Sequence, residues 1–162
     1  MIKQDVIINH ITVTSTLGRQ REIGNSVNML FHQAFKEMDY KINNLGTVGN
    51  LHEVKKVQKD IKKTNMMLIS IATGGTELLM KKILKTLRYM KTQSKKPQVL
   101  LIAVEDNNSL PAALDVIRSF KAKNHNSNIV TGNIEGITEI IQNEIKIVNL
   151  IIRLGSSKIG YI

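Results

Sequence analysis

Short apolar runs alternate with amphipathic segments along this chain, and the alternation constrains its fold more than any other feature. The runs are rich in β-branched residues, which favour strands, whereas the amphipathic segments repeat their apolar residues at helical spacing. Strands and helices that alternate in this way form βαβ units, in which the strands are parallel. The chain is therefore predicted to fold as an α/β protein.

The predicted elements follow one another without a long linker. The strands are predicted at 5–13, 40–48, 66–72, 97–104, 127–132 and 158–162, and the helices at 18–38, 50–63, 77–90, 109–123 and 133–154. Asn50 and Ser109 are predicted N-caps, and Gly155 is predicted to end the last helix. We predict a single domain over 1–162 with a doubly wound, mainly parallel sheet of about five to six strands and helices on both faces, flavodoxin-like or Rossmann-like.

In sheets of this kind, ligands bind beyond the carboxyl ends of the strands, at the point where the strand order reverses. Three predicted loops lie at that edge. They are "TSTLGR" after the first strand, "TGGTE" after the third and "EDNNS" after the fourth. These loops are the candidate ligand-binding segments.

The "TGGTE" loop has two interpretations. Gly74 and Gly75 lack a Cβ, so their N–H groups can approach a ligand closely and their φ angles can be positive. Thr76 is a predicted helix cap, and the carboxylate of Glu77 suits the first turn of that helix. A tight strand-to-helix turn would use the same residues, so a ligand loop and a plain turn both remain open.

The "EDNNS" loop is a second polar cluster. Glu105, Asp106, Asn107 and Asn108 would offer hydrogen bonds suited to polyol hydroxyls or to a phosphate, although an Asx turn before a capped helix is an equal alternative. No residue is assigned a catalytic role. The candidate substrate-binding residues are Gly74, Gly75, Thr76, Glu77, Asn107, Asn108 and Ser109.

Three stretches carry a family resemblance. "IATGGTELL", "PQVLLIAVEDNNSLPAALDVIRSFKAK" and "SSKIGYI" resemble the N-terminal region of the L-fucose isomerase-like sugar isomerases, a group related to L-arabinose isomerase. The resemblance covers 66–162, whereas 1–65 agrees only in fold pattern. Glu105 and Asp106 stand where the family has a Pro-Gly-like pair, which is a departure from its pattern.

The resemblance implies metal-dependent aldose–ketose isomerisation. The family's divalent cation, usually manganese, is held by carboxylates and a histidine in a later domain. This chain would then be the N-terminal domain of a longer protein, without the metal site and inactive alone, and its predicted last strand would lead into the next domain. The resemblance further implies a sugar or polyol ligand and a homo-oligomer.

The composition argues against several other classes of partner. The formal net charge is +10, but the lysines lie on the polar faces or at the ends of predicted helices, and aromatic residues make up only 4%. This pattern favours solvated helix faces over a nucleic-acid surface. The sequence has no cysteine and no apolar stretch long enough for a signal peptide or a membrane span, so a cytoplasmic protein is expected.

The four histidines do not form a metal site by spacing. His10, His32, His52 and His125 are scattered singly, and each is expected to be a surface or partly packed residue. Two other functions remain open. One is a non-catalytic sugar-binding or oligomerisation module; the other is a flavodoxin-like domain that binds FMN or phosphate, which the stretch "TVTSTLGRQ" suggests and the lack of tryptophan disfavours.

Overall fold

The computed structural model describes residues 6–88, 97–104, 109–122 and 126–156. Within those ranges the chain forms strands and helices in alternation, with one pair of consecutive short helices. The elements are β1 (Ile8–Val13), α1 (Gln20–Lys36), β2 (Ile42–Val48), α2 (Leu51–Lys56), α3 (Gln58–Ile61), β3 (Met66–Ile71), α4 (Glu77–Arg88), β4 (Gln98–Ala103), α5 (Ser109–Lys121), β5 (Ser127–Thr131) and α6 (Ile134–Ser156).

The five strands form one parallel sheet in the order β2-β1-β3-β4-β5. Helices α1 and α6 pack on one face of the sheet, and helices α2 to α5 pack on the other. This arrangement confirms the predicted doubly wound α/β fold. The predicted sixth strand at 158–162 lies outside the described residues.

The strands β3 and β4 are buried along their whole length. Alternate side chains of β3 enter two separate cores: Met67 and Ile69 pack with α4 and α5, whereas Leu68 packs with α1 and α6. Both faces of a parallel sheet are covered by its crossover helices, so a strand at its centre must be apolar on both sides. This requirement explains the unbroken apolar runs in the sequence.

The edge strand β2 is held by amide side chains. Asn28 of α1 and Asn44 of β2 exchange two hydrogen bonds of 3.0 and 2.9 Å, and Asn28 also donates to the hydroxyl of Thr12 at 3.1 Å. Asn44 in turn accepts from the N–H of Gly46, whose φ is +83°. Because β2 is only half-buried, these polar contacts supplement a small apolar contact area.

The structure corrects three local predictions. The helix predicted over 50–63 is divided at Val57 into α2 and α3, an arrangement that buries Val54 and Ile61 completely. Gly155 does not end the last helix, because α6 runs to Ser156 while its inner face remains packed as far as Ile152. Ser109 lies inside α5 as its first residue and therefore is not the N-cap. The predicted N-cap Asn50 is confirmed, since its side chain accepts from the N–H of Glu53 at 3.0 Å.

His10 is fully buried, so the expectation of a surface or partly packed residue is wrong for it. Its Nε2 lies 2.9 Å from the Ser70 hydroxyl, and its ring packs edge-on against Phe35 at 5.0 Å between centroids. Burial away from water, with a smaller contribution from His32, lowers the pKa of His10 to about 3. The imidazole is therefore neutral in the folded protein. His32 is half-buried and His52 is exposed, as expected.

The low pKa of His10 predicts a pH-dependent stability. Between pH 6.5 and about 3 the unfolded chain binds a proton at this residue and the folded protein does not. The free energy of unfolding should therefore fall by about 1.4 kcal/mol per pH unit as the pH drops below 6.5, with no loss from this source above it. Urea unfolding at pH 5.0 to 7.5 measures the slope.

The matched variant is His10→Gln, which cannot titrate and keeps a hydrogen-bonding group near Ser70. Its stability should change much less between pH 6.5 and 5.0 than that of the unchanged protein. Equal slopes for both proteins would show that His10 is not held neutral by burial.

Candidate functional site at the carboxyl edge of the sheet

The strand order reverses between β1 and β3. The chain leaves β1 for α1 on one face of the sheet and leaves β3 for α4 on the other face. Val13 and Ile71, the last residues of the two strands, are direct neighbours in the sheet. The β1 exit loop (14–19) and the β3 exit loop (72–76) therefore start side by side, at the position where ligands bind in doubly wound folds.

Buried hydroxyl groups join these two exit loops. The N–H of Ser15 donates to the Thr73 hydroxyl at 2.9 Å, and the hydroxyls of Thr14 and Thr73 lie 3.3 Å apart. Thr14 also donates to the carbonyl of Gln20 at 2.6 Å, which ties the start of α1 to the same group. These hydroxyls hold the loops together, and they are turned away from solvent.

The "TGGTE" turn is built around one left-handed glycine. Gly75 has a φ of +72° and is exposed, as the sequence predicts, whereas Gly74 does not have a positive φ and is half-buried. Thr76 occupies the position before α4, and its carbonyl accepts from the N–H of Met80 at 3.0 Å. Its buried hydroxyl donates back to the carbonyl of Thr73 at 3.4 Å and so closes the turn.

Glu77 begins α4 and lies half-buried beside this turn. The first turn of a helix has backbone N–H groups without intrahelical partners, and the helix dipole makes that end partly positive. The turn thus sets an exposed left-handed glycine beside a half-buried glutamate at the first position of α4. The side chains of Thr16 and Leu78 are exposed in the adjoining segments.

An ion pair fixes the neighbouring exit of β2. The guanidinium of Arg21 donates to the Glu53 carboxylate at 2.7 Å and to the carbonyl of Thr47 at 3.3 Å. The same Glu53 oxygen accepts from the N–H of Gly49 at 2.7 Å. Burial acts to raise the pKa of Glu53, but the hydrogen bond from Arg21 and those from the backbone outweigh it, and the pKa is lowered. The carboxylate is therefore ionised and rigidly held at neutral pH.

The exit of β4 is described only in part. Ala103 of β4 pairs with Ile71 of β3, so the chain leaves the two strands at adjacent points of the edge. Ser109 is fully buried and its hydroxyl donates to the carbonyl of Val104, so this hydroxyl serves a contact within the protein. The candidate residues Asn107 and Asn108, with Glu105 and Asp106, lie outside the described residues.

Five of the seven predicted site residues lie in the described part of the chain. Gly75 is exposed, Gly74 and Glu77 are half-buried, and the hydroxyls of the buried Thr76 and Ser109 are bonded to backbone carbonyls. The sequence analysis placed Thr14, Ser15 and Thr73 in two separate candidate loops but did not predict that the two loops bond to each other. The Ser and Thr residues that follow the apolar runs of β1 and β3 mark the loops, not the contact between them.

A metal centre does not fit the described residues. Between 6 and 156, leaving out the undescribed segments, no three His, Cys, Asp or Glu side chains lie together in a way that could hold a cation. The divalent cation implied by the family resemblance therefore has no ligand set in this part of the chain. Among the same residues, no helix is sufficiently long and apolar to cross a membrane.

Comparisons with known proteins do not establish a family. No protein-family profile matches the chain, and no curated protein matches it. The resemblance to the L-fucose isomerase-like proteins therefore stays a prediction.

The hydrogen bond from the Ser15 N–H to the Thr73 hydroxyl, which joins the exit loops, gives a stability prediction. Thr73→Val keeps the shape of the side chain but leaves the buried N–H of Ser15 without its acceptor. We expect the free energy of unfolding to fall by about 1–3 kcal/mol, the cost of an unsatisfied buried donor. Urea denaturation measures the change, and Thr131→Val, at an exposed position at the end of β5, is the control. Equal small effects of the two substitutions would contradict a joining role for Thr73.

Proposed function

We propose that the carboxyl edge between β1 and β3 binds a sugar or polyol. The chain would be the ligand-side domain of a metal-dependent aldose–ketose isomerase of the kind that its sequence resembles. The single observation that carries this proposal is the exposed left-handed Gly75 at the start of α4, placed at the reversal of strand order. In this proposal the metal and the acid–base groups are supplied by another part of the protein.

Polyol hydroxyls are both donors and acceptors, and the edge offers both partners. Each hydroxyl can accept from a backbone N–H of the turn and donate to the Glu77 carboxylate. The buried hydrogen bonds of Thr73 and Thr76 hold the turn in one conformation, so little conformational entropy is lost when a ligand binds.

Glu77 also favours a neutral ligand over an anionic one. A helix N-terminus preceded by a glycine turn can bind phosphate, but a carboxylate beside it repels a second negative charge. The Glu53 carboxylate at the exit of β2 is already engaged by Arg21 and Gly49. With respect to Glu77, an uncharged sugar satisfies the turn before α4 better than a phosphate does.

Flavin or phosphate binding is the second candidate function. The strand order β2-β1-β3-β4-β5 is that of flavodoxin. In addition, the Ser/Thr-rich stretch "TVTSTLGRQ" spans the end of β1 and the loop after it. Against it, the hydroxyls of Thr14 and Ser15 are buried and bonded inside the protein, so of the first three loop residues only Thr16 has an exposed side chain. Saturable quenching of FMN fluorescence by the protein would favour this alternative.

A charge-neutral variant separates the two ligand classes. Glu77→Gln removes the negative charge and a strong acceptor, so it should weaken the binding of an alditol or aldose by about threefold to thirtyfold, which corresponds to one hydrogen bond. The same substitution should strengthen the binding of inorganic phosphate, because the repulsion is lost. Isothermal titration calorimetry with each ligand measures both changes.

Asp115→Asn is the matched control, because Asp115 is exposed on α5 and its substitution changes the net charge by the same amount as Glu77→Gln does. It should alter neither affinity. Unchanged alditol binding in Glu77→Gln would remove Glu77 from the site. Saturable sugar binding without turnover, in a longer protein that supplies carboxylates and manganese, would favour a non-catalytic sugar-binding module over an isomerase domain.

A further inference from the structure

The helix α6 carries two apolar stripes. One stripe faces the sheet and is buried at Ile137, Ile141, Ile145 and Val148. The other, here called the outer stripe, is exposed. It consists of Ile140, Ile147, Leu150, Ile151 and Leu154, whose exposed fractions run from 41% at Ile151 to 61% at Leu154. A surface helix of a monomer usually has polar residues on that side, so the outer stripe requires an explanation.

The outer stripe has the spacing of a helix–helix seam. Ile140, Ile147 and Leu154 recur at intervals of one heptad, and Leu150 falls between the last two. Such a repeat places apolar side chains along one line of the helix, where they can interlock with a second helix. The adjacent helix α1 adds the exposed Met29 and Leu30 to the same layer.

The charge distribution indicates which face of the protein can meet another copy. Helices α2 to α5, the opposite layer, are strongly basic. Their acidic residues are Glu53, Asp60, Glu77 and Asp115, and their basic residues are Lys55, Lys56, Lys59, Lys81, Lys82, Lys85, Arg88, Arg118 and Lys121. Helices α1 and α6 together carry no net charge. Their basic residues are Arg21, Lys36, Lys146 and Arg153, and their acidic residues are Glu22, Glu135, Glu139 and Glu144. In a chain of net charge +10, two copies therefore repel each other least through the α1–α6 layer.

The charges of α6 also select an orientation. Glu135 and Glu139 lie in its first half, whereas Lys146 and Arg153 lie in its second half. An antiparallel pair sets each acidic half beside the basic half of the other helix, and a parallel pair would set like charges together. An antiparallel pair of identical helices is two-fold symmetric, which is the commonest symmetry of protein dimers.

We propose that a second copy of this chain docks on the outer stripe and forms an antiparallel α6–α6 dimer whose two-fold axis passes near Ile147, the middle of the stripe. The dimer buries the heptad seam of both copies and leaves the basic layers on opposite outer sides. The proposal is independent of the polyol site, because it uses the outer side of α6 and none of the residues of the β1–β3 edge.

Sedimentation velocity of the full chain over a range of concentrations tests the dimer. The unchanged protein should dimerise, and Ile147→Glu should raise the dimer dissociation constant by at least about tenfold because it buries a carboxylate in the seam. Leu114→Glu is the matched control: Leu114 is 48% exposed, but it lies on α5 in the opposite layer. Circular dichroism melting confirms that both variants are folded.

Cysteine cross-linking tests the orientation, since the chain has no cysteine of its own. In an antiparallel dimer Ile147→Cys lies near its copy and should form a disulfide, whereas Leu154→Cys is displaced from its copy by about 20 Å and should not. Equal cross-linking at both positions would overturn the antiparallel arrangement. A monomer at all concentrations, or an equal loss of dimer in Leu114→Glu, would overturn the docking of a second copy on α6.

Discussion

Burial of β3 and β4 on both faces is the constraint on which the rest of this structure depends. A strand that is apolar on both sides needs helices above and below it, and short crossovers then keep all neighbouring strands parallel. Parallel strands bring every exit loop to one edge. The reversal of strand order between β1 and β3 sends α1 and α4 to opposite faces. In doubly wound folds ligands bind at the exit loops of that point.

The architecture could be predicted from the sequence because its signals are local. Apolar runs and helical spacing lie within single segments, so the predicted strands overlap all five observed strands. The errors concern features set by tertiary contacts. The division at Val57 accompanies the burial of Val54 and Ile61, and α6 continues through Gly155 while its inner face remains packed. The burial of His10 depends on Phe31 and Phe35 of a different element.

The candidate site was predictable only in part for the same reason. A glycine pair between a strand and a helix indicates a left-handed turn from sequence alone, and Gly75 has that conformation. The contact between Ser15 and Thr73 joins segments far apart in the chain, and no local pattern identifies it. Those buried hydroxyls stabilise the edge, and in the proposed function the backbone at Gly75 and the Glu77 carboxylate bind the ligand. Separating these two roles requires the three-dimensional structure.

The most direct test of the central claim is a crystal structure of the protein grown with a millimolar pentitol or hexitol. The account predicts the polyol at the β1–β3 edge, with hydroxyls in hydrogen-bonding distance of the backbone N–H groups of the turn at Gly75 and of the Glu77 carboxylate. A polyol bound elsewhere on the protein, with this edge occupied only by solvent, would contradict it.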